Sequence, residues 1–177
     1  MFQKAKNMEY KKFIREGNGA SDITPLFKDG PALFNLVSDL NNLFKDLNFD
    51  KIACVEGKGF ILGSPIAYLR KVGLVQIRSA GKLKNDTFSK SFVDYSKNER
   101  ILEIHKDAID KGEKVLIIDD YVETGETIKA AISLIEKCGG EVVGIGSFFD
   151  DSSNELKKEL EKYNYKYVEK SSKEDKF

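Results

Sequence analysis

The stretch KVLIIDDYVETGET, Lys114–Thr127, decides the reading of this chain. Val115–Ile118 is an unbroken aliphatic run that predicts a buried strand. Asp119 and Asp120 follow, then a short turn, then Thr124-Gly125 and Thr127, leading into the apolar-periodic stretch Ile128–Cys138 that predicts a helix. A strand that ends in paired acids and feeds a Gly/Thr turn at a helix start has two chemical uses. Its carboxylates can accept hydrogen bonds from vicinal hydroxyls, and the backbone N–H groups of the turn and helix start can hold a phosphate. A sugar phosphate fits both. The same order of strand, acid pair, turn and helix also occurs in receiver domains and in Mg²⁺-binding phosphatases, and an ordinary helix start needs only a Thr or Asp cap.

Outward from that stretch, strands alternate with helices. Pro31 opens a helix with Leu33, Leu36, Val37, Leu40, Phe44 and Leu47 on one face. Strand Ile52–Val55, a turn Glu56–Gly59 and a helix through Ile66, Ala67 and Leu69 come next, and Gly73 precedes strand Leu74–Ile77. Strand-like stretches at Ser91–Tyr95 and Arg100–His105 flank a polar link. Beyond Cys138, Gly139-Gly140 stops the helix; strand Val142–Phe149, helix Asn154–Tyr163 and strand Tyr165–Val168 complete the pattern. The opening Met1–Gly17 reads as a lysine-bearing helix and the closing SSKEDKF as a frayed tail. This alternation predicts a parallel α/β sheet covered on both faces, with ligands bound beyond the carboxyl ends of its strands. Glu56–Gly59, Arg78–Lys82 and Asp119–Thr127 all follow strands, so all three are expected on one rim.

With 177 residues the chain is long enough for one domain with a full core. Lys+Arg 29 balances Asp+Glu 29, which argues against a broad electrostatic surface for nucleic acid or membrane. No window approaches a membrane span or a signal-peptide core, so a cytoplasmic protein is expected. Cys54 and Cys138 lie far apart, without Cys or His at metal-ligand spacing, and are expected to be buried thiols. His105, in an alternating strand-like segment, is read as scaffold.

Lys114–Thr127 resembles the phosphoribosyl-pyrophosphate (PRPP) loop of the type I phosphoribosyltransferases. Further motifs stand in the order found in adenine phosphoribosyltransferases: DITPLFKD at Asp22–Asp29, Gly59-Phe60 inside VEGKGFILGSPIA, Ile77-Arg78 with Gly81-Lys82-Leu83, and EIHKDA at Glu103–Ala108. The resemblance runs from Gly19 to Asp150. It implies one phosphoribosyltransferase domain over 1–177, with an α/β fold of a mostly parallel central sheet flanked by helices, an N-terminal hood over 1–30, a flexible catalytic loop over 80–100 and a frayed tail over 170–177. The implied activity is transfer of 5-phosphoribosyl from PRPP to a purine base, adenine favoured, by a Mg²⁺-dependent homodimer that binds neither nucleic acid nor membrane.

By the same resemblance, Glu123, Thr124, Gly125, Glu126 and Thr127 form the 5′-phosphate loop. Asp119 and Asp120 hold the ribose hydroxyls, directly or through Mg²⁺. Lys58, Gly59, Arg78 and Lys82 receive pyrophosphate. Catalytic candidates are Asp94, in Asp94-Tyr95-Ser96 where adenine-type enzymes carry Glu-Tyr-Gly, and Glu123, where 6-oxopurine enzymes often carry an acid near the base.

Departures from the family pattern bear on the acceptor. Glu123 and Glu126 replace Ala and Gly of adenine-type loops. A carboxylate ~4 Å from a phosphate at an effective dielectric of about 20 is repelled by several kcal/mol unless it points away or meets a cation. Gly19-Ala20-Ser21 replaces apolar and aromatic residues and an Arg before the shared Asp22, and Lys58 replaces an Arg, whose planar fork an ammonium does not reproduce. A 6-oxopurine enzyme and a non-catalytic PRPP- or nucleotide-binding regulator are the alternatives these residues leave open.

Overall fold

The computed structural model describes residues 8–15, 22–94 and 96–170; the expectations for Met1–Gly17, Gly19-Ala20-Ser21, Tyr95 and the closing tail fall wholly or partly outside these. At the start, the expected helix is reduced among described residues to a 3-10 turn at Tyr10–Phe13, and Arg15 bridges Asp22 in antiparallel fashion. Helix α1 (Thr24–Lys28) leads to α2 (Gly30–Leu43), where the Asp29 carboxylate accepts from Ala32 N at 2.8 Å and Pro31 fits the first turn. This helix ends earlier than its apolar spacing predicts. Phe44 and Leu47 lie past its end, yet both still pack into the core.

Then follow β1 (Lys51–Val55), α3 (Lys58–Arg70), β2 (Gly73–Ser79), β3 (Thr87–Val93), β4 (Glu99–His105), β5 (Lys114–Val122), α4 (Glu126–Cys138), β6 (Glu141–Asp150), α5 (Asn154–Glu161) and β7 (Tyr165–Lys170). They build a seven-stranded sheet in the order β3-β4-β2-β1-β5-β6-β7. The β2-β1-β5-β6-β7 body is parallel, and β4 and β3 join antiparallel at one edge. The sheet is therefore mostly parallel, as the alternation predicted.

Both faces are covered, so the central strands read as continuous apolar runs. Leu116 and Ile118 of β5 pack with α2 and α3 side chains such as Leu36, Leu40, Leu62 and Ile66. Val115 and Ile117 pack with Ile128, Ala131 and Ile135 of α4 on the other face. Strand β5 runs beyond the predicted Ile118 because it keeps pairing with β6, from Asp119↔Ser147 to Val122↔Asp150. The acid pair thus lies within the strand's last residues, not after it.

Within 80–100 and just beyond it, where strand-like stretches were expected at Ser91–Tyr95 and Arg100–His105, the chain forms an antiparallel hairpin, paired from Thr87↔His105 to Val93↔Glu99. Its outer strand is largely exposed.

Candidate active site

Strand order sets the site's position. From β1 the chain passes through α3 to β2 on one side; β5 lies on the other side and continues through α4 to β6. Connections diverge between β1 and β5, and an open α/β sheet has its crevice at the carboxyl ends of the strands flanking such a point. Glu56–Gly59 and Asp119–Thr127 flank it, and the end of β2 adjoins.

Asp119 is buried, with its Oδ1 accepting from Asp120 N at 2.9 Å. Burial first, and then the neighbouring charge of Asp120, push its carboxyl well above the ordinary aspartate range. Asp120 is better solvated and takes Lys58 Nζ at 3.0 Å. Lys58 opens α3, and Gly59 lets that helix start close against β5: a Cβ there would stand 3.0 Å from Ile118 O and 3.4 Å from Asp119 Oδ1. Helix α3 begins at Lys58, within the Glu56–Gly59 stretch that the sequence predicts as a turn.

Arg78 and Lys82, predicted for pyrophosphate, are brought together by a residue the sequence reading left in a turn. Glu56 Oε2 accepts from Arg78 Nε at 3.3 Å and Ser79 N at 2.9 Å, while Oε1 meets Lys82 Nζ. Burial opposes ionisation of Glu56, but Lys82, the Ser79 amide and Arg78 together hold its carboxyl below the usual glutamate range. A charged residue directly after a buried strand, on the rim side, was the available signal.

In the segment expected to hold phosphate, Gly125 caps α4 with φ +74°, and the helix start has no side-chain cap. Its first-turn amides are therefore not taken by a capping side chain, the arrangement that suits an anion. Thr124 is exposed, whereas Glu123, Glu126 and Thr127 are half-buried. Glu126 Oε1 meets Lys129 Nζ at 3.1 Å, one turn along α4.

A phosphoribosyl transferase domain model matches residues 28–176. The adenine phosphoribosyltransferase of Halothermothrix orenii is 40% identical over 164 residues, 88% of this chain and 95% of that one. Among solved structures, adenine phosphoribosyltransferase from Thermoanaerobacter pseudethanolicus superposes with TM-score 0.83 at 35% identity, covering 92% of this chain and 98% of that one. The Saccharomyces cerevisiae enzyme, complexed with D-2,5-dideoxy-2,5-imino-altritol 1,6-bisphosphate and adenine, superposes with TM-score 0.74 at 26% identity over 90% of this chain and 94% of that one.

The chain belongs to the phosphoribosyltransferase family.

In this phosphoribosyltransferase the remaining catalytic candidates stand apart from each other. Glu123 sits on the rim, between the end of β5 and the cap of α4. Asp94 sits in the β3–β4 turn, where its carboxylate accepts from Ser96 N at 2.9 Å, Asn98 N at 3.0 Å and Arg100 Nε at 2.8 Å. Arg100 foremost, with those amides, keeps the Asp94 carboxyl below the usual range. The structure thus gathers Asp119, Asp120, Lys58 and Gly59, and separately Arg78 and Lys82 around Glu56, but leaves Asp94 bonded within its hairpin. His105 bonds Lys84 O through Nε2 at 2.7 Å, in keeping with a scaffold role. Cys54 is buried, and Cys138 is only partly so.

Proposed function

We propose that this enzyme transfers the 5-phosphoribosyl group of PRPP to adenine, releasing pyrophosphate and a nucleoside monophosphate. The observation that carries the reading is the acid pair at the end of β5, feeding a helix start without a side-chain cap at the sheet's divergence point. Adenine-type relatives of similar length, and a yeast relative holding a sugar-like bisphosphate together with adenine, support the same acceptor.

The Thr124 and Thr127 hydroxyls, with the backbone of 123–127, bind the 5′-phosphate, and Asp119 and Asp120 orient the ribose through its vicinal hydroxyls. Displacement at C1′ builds positive charge on the ribose and negative charge on the leaving diphosphate. Arg78 and Lys82 exchange the Glu56 carboxylate for diphosphate oxygens, and Lys58 and the Gly59 amide add donors. Glu123 recognises the base edge and accepts its proton. Asp94 contributes after the hairpin folds over the site and excludes water, which would otherwise hydrolyse PRPP.

Mg²⁺ fits the donor set. Among the described residues no three His, Cys, Asp or Glu gather as a self-sufficient cage, and Mg²⁺ commonly binds through one or two carboxylates, its waters and substrate phosphates. Asp119 and Asp120 would hold it on PRPP, where it neutralises diphosphate charge. The homodimer belongs to this proposal too: exposed Ile61 and Tyr68, two turns apart on α3, and Phe34 on α2 offer apolar surface to a second copy.

The test is pyrophosphate release from PRPP and Mg²⁺ with adenine, hypoxanthine, guanine, xanthine or orotate supplied singly. Turnover with adenine is expected. Preference for an oxopurine that disappears in Glu123→Ala would replace the acceptor; PRPP binding with no turnover of any base would remove the reaction.

A further inference from the structure

We infer that Lys129 is a positioning residue that holds the Glu126 carboxylate off the 5′-phosphate seat. The inference rests on the reading of residues 123–127 as that seat. Glu126 is the first residue of α4, directly after the Gly125 cap. A carboxylate there is attracted by the helix's own N-terminal amides and dipole. Left alone, it competes with phosphate for those donors and repels the phosphate charge.

The structure shows what draws it away. Lys129 Nζ lies 3.1 Å from Glu126 Oε1 and 3.3 Å from Glu159 Oε2 of α5, so the ammonium is held from both sides. The second contact matters because an i,i+3 pair on an exposed helix is weak and loosely placed by itself. α5 is in turn fixed against the loop. A Cβ on Gly125 would meet Leu156 Cδ1 and Cδ2 at 2.7 Å, and Lys157 Nζ lies 2.7 Å from the buried Asp150 carboxylate. Glu159 therefore presents its carboxylate from an anchored helix, and Lys129 spans from it to Glu126. The hydrogen bond to Glu126 foremost also raises the Lys129 pKa, so the cation persists through neutral pH. A loop that would be repulsive by its charge count alone is made receptive by one cation three residues into the helix.

The experiment measures ribose 5-phosphate binding by calorimetry, and PRPP kinetics, in wild type, Lys129→Met, Lys129→Arg, Glu126→Gln and the double variant Lys129→Met/Glu126→Gln. Lys129→Met is expected to raise the ribose 5-phosphate Kd and the KM for PRPP about five- to tenfold, with kcat changed less than about twofold, a range set by a partly solvated charge near an anion. Lys129→Arg retains wild-type affinity. In the double variant affinity returns to within about twofold of Glu126→Gln alone, a coupling that mere loss of helix stability does not produce. An equal loss in Lys129→Met whether residue 126 is Glu or Gln overturns the inference, as does wild-type affinity in Lys129→Met. If wild-type protein fails to bind ribose 5-phosphate, or if Thr124→Val/Thr127→Val binds it unchanged, the seat itself is misplaced and the inference falls with it.

Discussion

At the amino-terminal end of the sheet, Arg70 donates to the carbonyls of Phe44 at 3.2 Å, Lys45 at 3.4 Å and Leu47 at 2.8 Å, and its guanidinium lies 4.9 Å from the Phe49 ring centre. Asp50 accepts from Lys114 N at 2.8 Å, and Lys51 donates to Ala108 O at 3.0 Å. At the carboxyl end, buried Asp119 adjoins Asp120, Lys58 leans on Asp120, and Glu56 draws Arg78, Lys82 and the Ser79 amide to one carboxylate. Both ends are charged. At the first, charge is largely spent on backbone groups that cannot leave; at the second, much of it is spent on side chains that can change partners. A cleft of about 380 Å³ lies at the first end, lined by Leu47, Asn48, Phe49, Asp50, Arg70, Val72 and Lys114. Concavity by itself does not mark a site, and exchangeable charge favours the other end.

The strongest break of this contrast is Asp119→Asn with Asp120→Asn. Removing both carboxylates is expected to lower kcat/KM for PRPP by about a thousandfold, roughly 4 kcal/mol of transition-state stabilisation. Asp119→Asn alone should also stabilise the free protein. Burial and the Asp120 charge raise the Asp119 pKa, so its ionised form costs the folded state stability once pH passes the unfolded aspartate value of about 3.9. A gain of about 1 kcal/mol near neutral pH, read from urea midpoints, accompanies the loss of activity. Unchanged PRPP affinity in the double variant would end the sugar assignment.

Gly125→Ala comes next. The residue sits at φ +74°, and a methyl there would lie 2.7 Å from two Leu156 carbons. Left-handed backbone costs about 1–2 kcal/mol for alanine, and overpacking adds about 1–3. Thermal melts should show the combined loss, and in a double-mutant cycle Gly125→Ala should cost less in a Leu156→Ala background by the packing part only.

Much of this rim could be read from residues, and the unread parts share a cause. KVLIIDDYVETGET displayed strand, acids and helix start because each has a local signature: an aliphatic run, paired carboxylates, and a glycine where the chain turns left-handed. The alternation gave the sheet and its rim. What stayed hidden depends on distant partners. Glu56 looks like any turn acid until Arg78 and Lys82 arrive from β2 and beyond. Lys129 looks like a solvated helix lysine until Glu159 approaches from α5. The true end of β5 escaped because pairing with β6, not hydrophobicity, carries the strand through Asp119 and Asp120. The hairpin at Thr87–His105 was legible only in part: its second strand and the end of its first were read as strand-like, but the start at Thr87 was not. Phe88 and Phe92 pack on the core across an exposed Ser89–Ser91 and give no apolar alternation.

Arg70→Ala tests the other end. Its guanidinium serves several carbonyls at the end of α2 and one aromatic ring, so truncation should cost about 2 kcal/mol of folding stability through lost charged hydrogen bonds and packing. KM for PRPP and kcat should stay within about twofold of wild type. A large kinetic effect without destabilisation would reverse the contrast between the two ends.

Glu56→Gln has the smallest expected effect and the sharpest signature. Three donors hold the Glu56 carboxyl below its usual range despite burial. A carboxyl whose folded pKa is lowered contributes its stability above the unfolded value, about 4.3, and loses it as pH falls through the folded value. Wild type should therefore exceed Glu56→Gln by about 1 kcal/mol at pH 7, the difference between charged and neutral hydrogen bonds. The gap should close below about pH 4 as the wild-type carboxyl takes up its proton. Urea midpoints for both proteins between pH 2 and 7 measure it directly, because other titrating groups contribute equally to the two curves. A gap independent of pH would mean that Glu56 supports the rim by shape, as Arg70 supports the far end. A gap that narrows in acid, together with tighter pyrophosphate inhibition in Glu56→Gln at neutral pH, would identify this carboxylate as the counter-ion that Arg78 and Lys82 give up when the diphosphate arrives.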